Sequence, residues 1–175
     1  MRAIMTIILR VIARIRSHLN PPKLPKDVEK FKREMASLSI DEFQKFLLSH
    51  EYKSDAIGGL IDKTETWEHF IDKTIKHGRD CDDFAAAWRL WLLYNGYEVA
   101  TVIITSPKHP FTSSHVIAVA EKDGKYTLCN YTNHQGFKSL TNALKGMRYG
   151  DYVDGFIWAI QDIYKLENGK PRRVS

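Results

Sequence analysis

At 175 residues the chain fits a single domain, long enough to bury a core without disulfides or metal. Its 43% apolar and 11% aromatic content is ordinary for a globular protein and excludes a fibrous or disordered chain. The net charge of +5 sits at the ends, with nine Lys/Arg against three Asp/Glu in residues 1–34 and four against two in 162–175, so a nucleic-acid-binding central domain is not expected.

Residues 1–20 read as a basic amphipathic helix. Ile4, Ile7, Ile8, Val11, Ile12, Ile15 and Leu19 recur at helical spacing, with Arg2, Arg10, Arg14 and Arg16 among them. The arginines are too frequent for a bilayer span, and no small-residue cleavage site follows the apolar run that ends at Arg10. Two readings stand: a helix packed on the domain, which is favoured, and a helix lying on a membrane surface or a partner. Asn20-Pro21-Pro22 and Pro25 end it.

A helical extension over 21–51 comes next, with short helices near 27–36 and 41–48. Ser39 is the expected N-cap of the second, with Asp41 and Glu42 in its first turn. Glu51 to Lys63, with Gly58-Gly59, reads as loop or irregular strand. Thr64 is expected to cap a further helix with Trp67, Phe70, Ile71, Thr74 and Ile75 on one face, stopped at His77-Gly78.

The run from Arg79 to Gly96 is rich in helix formers, and Gly96 suits the position after a helix end. Phe84, Ala85, Trp88, Trp91 and Leu92 define its buried face. Cys81 precedes Phe84 by three positions and Ala85 by four, so its sulfur projects from that same inward face. The other cysteine is Cys129; two such residues make no disulfide framework, both read as reduced, and the expected compartment is the cytoplasm. Cys129 reads as a buried small hydrophobe, and the Trp88/Trp91 pair as core.

Beyond Gly96 the apolar period changes to two. Strands are expected at Tyr97–Thr105, Ser114–Glu121, Lys125–Thr132 and Gly155–Gln161. Helices first and strands later give an α+β fold, with N-terminal helices packed on an antiparallel sheet. Asp123-Gly124 is a two-residue hairpin turn, so Lys122 faces Lys125 and Asn130 falls opposite Ile117. His115, Ile117, Val119, Tyr126, Leu128, Asn130 and Thr132 then share a face, on which His115 and Asn130 are diagonal neighbours about 7–8 Å apart at Cα. The Cys81 helix is expected to pack on this face. Lys108 to Thr112 reads as a loop, either plain surface or cleft wall, and the Lys170–Arg173 tail as solvated and disordered.

A cysteine at a helix start with a His–Asn pair is a set that nucleophilic catalysis can use. A thiol attacks as thiolate, which a helix N-terminus and an imidazolium both favour. The imidazole takes the thiol proton and later returns it, while an Asn carbonyl fixes ring and tautomer. Asp82 and Asp83 would raise a thiol pKa, so they are expected to point outward, or one of them to grip the neighbouring loop. The Cys81 N–H is a candidate oxyanion donor. His69, His77, His109 and His134 show no metal-ligand spacing, and no metal is expected.

The segments Thr66-Trp67-Glu68-His69-Phe70 and Gly78-Arg79-Asp80-Cys81-Asp82-Asp83-Phe84-Ala85 resemble the nucleophile helix of the bacterial and phage transglutaminase-like cysteine peptidases, of the papain-like superfamily. Ser114-His115-Val116-Ile117-Ala118-Val119 resembles their histidine strand. Leu128-Cys129-Asn130 resembles their "L-D-N" strand, with Asn130 where an Asp usually stands. The resemblance spans about residues 52–160 and divides the chain into the helix 1–20, the extension 21–51, a catalytic domain 52–163 and a basic tail 164–175. It implies a papain-like, transglutaminase-like core, the catalytic residues Cys81, His115 and Asn130, no cofactor, and a peptide or protein substrate whose amide bond is cleaved through a thioester. Acyl transfer on the same residues and a non-catalytic binding module are the alternatives, and residues 1–19 remain a possible contact with a membrane surface or a partner.

Overall fold

The computed structural model describes residues 2–19, 23–52, 67–72, 79–105, 114–146 and 156–174. Its centre is an antiparallel sheet of β1 Glu98–Thr105, β2 Ser114–Lys122, β3 Lys125–Cys129, β4 Asn133–Phe137, β5 Ile157–Glu167 and β6 Lys170–Arg173, in the order β4-β3-β2-β1-β5-β6. The helices among the described residues are α1 Arg2–Leu19, α2 Val28–Phe31 running into a π-helical turn Lys32–Ala36, α3 Ile40–Leu48, α4 Trp67–Ile71, α5 Cys81–Tyr94 and α6 Leu140–Gly146. The α+β class read from the sequence agrees with this mixture. None of these helices is long and apolar enough to cross a membrane.

Local signals account for several boundaries. Ser39 accepts the backbone N–H of Glu42 while the Glu42 carboxylate accepts that of Ser39, a capping box that starts α3. Gly96, at φ 81°, ends α5: its N–H reaches the Leu93 carbonyl and the Tyr97 N–H reaches that of Leu92. Asp123 and Gly124 both have positive φ, 53° and 73°, as a tight hairpin turn of this twist requires. The β2–β3 register follows from it, Lys122 facing Lys125 and Ala118 facing Cys129. The ladder stops at Cys129 rather than Thr132, because the Asn130 N–H turns to the Thr132 carbonyl.

Both faces of the sheet are covered, and here the structure corrects the sequence reading. Ile117, Val119 and Leu128 do not meet the Cys81 helix; they pack with Ala143 and Leu144 of α6. The α5 helix lies on the other face, against Val99, Ala118, Ala120 and Cys129. Ala118, Ala120 and Cys129 are small, which lets α5 approach closely; Trp88 and Leu92 are fully buried in the same cluster, Trp88 edge-on to Phe43 of α3 at 5.2 Å. Bulky apolar residues marked a buried face, but β2 is buried on both, so bulk alone could not say which face α5 takes. Each fully buried Leu or Phe on α5 contributes about 1.5–3 kcal/mol.

The helix α1 packs beside α5 on that same face. Leu9 and Ala13 join Ala85, Ile103, Val116, Ile157 and Ala159 in one cluster, with Met5 and Cys81 against it. The packed reading of residues 1–20 therefore holds for one side of the helix.

Three elements were not anticipated. β4 and α6 follow β3 directly, and the supposedly disordered tail is β6, paired with Tyr164–Glu167 of β5. β5 runs straight through the expected boundary at 163. Thr64, Thr74, Ile75, His77, Gly78, the glycines at 58 and 59, Gly155 and the 108–112 loop lie outside the described residues.

A charged pair is buried between α5 and the sheet. Arg89 Nη1 lies 3.7 Å from Asp162 Oδ1 and donates to Thr101 Oγ1 at 3.1 Å, with Arg89 only 4% and Asp162 1% exposed. Replacing Arg89 by Met strands the Asp162 carboxylate, so we expect a loss of about 3–5 kcal/mol in urea denaturation. Adding Asp162→Asn to that variant restores part of the loss; an unaltered midpoint for Arg89→Met alone would contradict the assignment.

Candidate active site

Cys81 is the first residue of α5 and is half-buried. The turn before it is built by carboxylates. Asp80 is the N-cap and accepts the Asp82 N–H at 3.2 Å, while Asp83 accepts the Asp80 N–H at 3.3 Å. Arg79 ties the preceding residues to α4, donating to the Phe70 carbonyl and, at 2.8 Å, to that of Asp72. The helix start is thus held from both sides.

Asp82 and Asp83 do not point outward. They are 4% and 6% exposed. Asp83 is turned in by the capping turn of its own helix. Asp82 lines a cavity of about 10 Å³ with Ala85, Ala86, Arg89, Thr101, Val116 and Gln161. Burial pushes the Arg89 guanidinium down from its ordinary pKa, and Asp162, Tyr164 and Asp82 hold it up. The negative charge behind Cys81 therefore faces a buried cation, which offsets part of its effect on a thiolate. Sequence reasoning passed over Arg89; the available signal was a single arginine within the apolar run Phe84–Leu93 of a helix with no polar face.

His115 and Asn130 are brought together. His115 Nε2 and Asn130 Oδ1 are 2.7 Å apart, His115 being 5% exposed near the start of β2. A carbonyl oxygen only accepts, so Nε2 carries the hydrogen and Nδ1 keeps its lone pair. Burial lowers the His115 pKa from its ordinary 6.5, and the Asn130 hydrogen bond opposes this in part. The neutral ring is the resting form at neutral pH.

By strand alternation His115 lies on the face of Ile117 and Val119, opposite α5, and its ring is linked to that helix through Tyr131. The ring centroid is 6.0 Å from that of Tyr131, which meets Phe84 of α5 edge-on at 5.2 Å. Val116, the next residue along β2, shares the cluster against which Cys81 packs. The start of α5 and the start of β2 therefore stand at the same end of the sheet.

Cys129 is fully buried in the core under α5, and burial pushes its thiol pKa strongly upward, as suits a small hydrophobe. Neither cysteine is in a disulfide. Trp88 and Trp91 are core residues, 0% and 4% exposed. Asp80, Cys81 and Asp82 bring one ligand atom each to within 4.8 Å of one another. This proximity follows from the capping turn, in which the Asp80 carboxylate already accepts a backbone N–H. Compared with protein-family models, curated proteins and solved structures, the chain matches none.

The lowered His115 pKa has a stability consequence whose sign is fixed. Below 6.5 the unfolded chain takes up a proton that folded His115 resists, so stability falls as pH drops through that value. Thermal melts between neutral and mildly acidic pH should show a shallower fall for His115→Gln than for the unaltered chain. Parallel curves would mean that His115 titrates normally in the fold.

Proposed function

We propose that this chain is a cysteine-dependent hydrolase with a papain-like, transglutaminase-like core, cleaving a peptide or other amide bond on Cys81. The observation that carries the reading is the 2.7 Å His115–Asn130 hydrogen bond, which leaves Nδ1 as the basic nitrogen at the end of the sheet where α5 begins. Burial keeps the ring neutral. The thiol is therefore activated by proton transfer to a neutral imidazole, rather than by an imidazolium already in place.

In this mechanism Nδ1 takes the Cys81 proton as sulfur attacks the substrate carbonyl carbon. The tetrahedral oxyanion is stabilised by the positive end of α5, with the Cys81 N–H as a donor. Collapse breaks the C–N bond and the imidazolium returns its proton to the departing amine. Water, deprotonated at the same nitrogen, then hydrolyses the thioester and frees the thiol. Asn130 holds Nε2–H throughout and keeps Nδ1 aimed. The cycle needs no cofactor. An amine in place of water gives acyl transfer on the same residues, and adding an amine separates the two by product analysis.

A second reading, a binding module that retains the fold without catalysis, is favoured by the buried carboxylates Asp80, Asp82 and Asp83 around Cys81, since like charge opposes a thiolate. The test needs no substrate: the pH dependence of iodoacetamide alkylation at Cys81. In the unaltered chain the rate should climb through a limb below 6.5 and then level off. His115→Ala should lose that limb, react only near the ordinary thiol pKa of about 8.5, and be slowed about a hundredfold at mildly acidic pH. A plain thiol profile in both proteins would leave the binding module as the better reading.

A further inference from the structure

The surface of α1 turned away from the sheet has no role in the site. Five of the nine exposed large apolar side chains among the described residues are on this one helix: Ile4, Ile7, Ile8, Val11 and Ile15, with Ile4 63% and Ile7 61% exposed. At 3.6 residues per turn they occupy an arc of roughly 100°, opposite Leu9 and Ala13, which are buried against β5. The helix is thus apolar on two sides, and among the described residues only the side of Leu9 and Ala13 is covered.

Its charge is of a single sign. Between Arg2 and Leu19 stand four arginines and no acid. Arg10 and Arg14, exposed and one turn apart, border the stripe. They also line a groove of about 930 Å³ between α1 and residues 156–160 at the start of β5, with Ile7 and Val11 in the same wall. An aliphatic stripe bordered by guanidinium groups matches the boundary of an anionic bilayer, where aliphatic side chains enter the acyl region and arginines meet phosphates. A second copy fits less well, because a two-fold contact sets Arg10 and Arg14 close to their own counterparts.

We propose that α1 docks the domain on an anionic phospholipid surface, with Ile4, Ile7, Ile8, Val11 and Ile15 inserted and Arg10 and Arg14 on headgroup phosphates. The helix lies in the interface while its other side remains packed on β5, so docking needs no unfolding. This proposal is independent of the reading of Cys81.

The test is co-sedimentation of the full chain with unilamellar vesicles of phosphatidylcholine, alone or mixed with phosphatidylglycerol. Binding to the mixed vesicles should be at least about tenfold tighter and should weaken as salt is raised. Two variants separate the contributions: Ile7→Asp with Val11→Asp should abolish sedimentation, and Arg10→Glu with Arg14→Glu should remove the preference for phosphatidylglycerol. Circular dichroism checks the fold of each, and either pair alone suffices if the other misfolds. Equal partition to both vesicle types, or variants that sediment like the unaltered chain, would overturn the proposal. So would a concentration-dependent dimer that Ile7→Asp disperses, in a chain that ignores vesicles; the covered face would then belong to a second copy.

Discussion

The close seating of α5 on the sheet is the contact from which the rest of the architecture follows. Ala118, Ala120 and Cys129 present almost no bulk, so the helix can sit close to the sheet, within a cluster that buries Trp88 and Leu92 completely. That closeness determines what must happen to the polar groups carried along. Arg89 is drawn out of water, and Asp162, Thr101 and Asp82 are the groups that compensate it. A helix held this way has little freedom to slide, and its first residue is Cys81.

Electrostatics at that first turn are a compromise. Three carboxylates cap and flank the helix start, two of them accepting backbone N–H groups, which stabilises the helix but sets negative charge beside a thiol. Arg89 on the next turns and the positive end of α5 act in the opposite direction. On the sheet, His115 is kept neutral by burial and fixed in one tautomer by Asn130.

What could be read from the sequence was whatever depends on neighbours along the chain. The Asp123-Gly124 turn fixed the β2–β3 register, and with it the pairing of His115 and Asn130, because two residues of positive φ leave one way to close the hairpin. Ser39 and Gly96 marked helix ends for equally local reasons. What depends on the third dimension was not readable. The face that α5 takes could not be told from apolar bulk, since α6 buries the opposite face as well. The Arg89–Asp162 pair joins residues from distant elements. β6 was hidden by its charge, although Asn168-Gly169, with φ of 52° and 73°, is the same turn signal that was used at Asp123-Gly124.

The central claim is that Cys81 and His115 work as one unit. The most direct measurement is the pH titration of the His115 ring-nitrogen chemical shifts, before and after Cys81 is blocked as a methyl disulfide. The account predicts hydrogen on Nε2, a midpoint below 6.5, and a clear change in that midpoint once the thiol is capped. A hydrogen on Nδ1, or a titration indifferent to the state of Cys81, would contradict it.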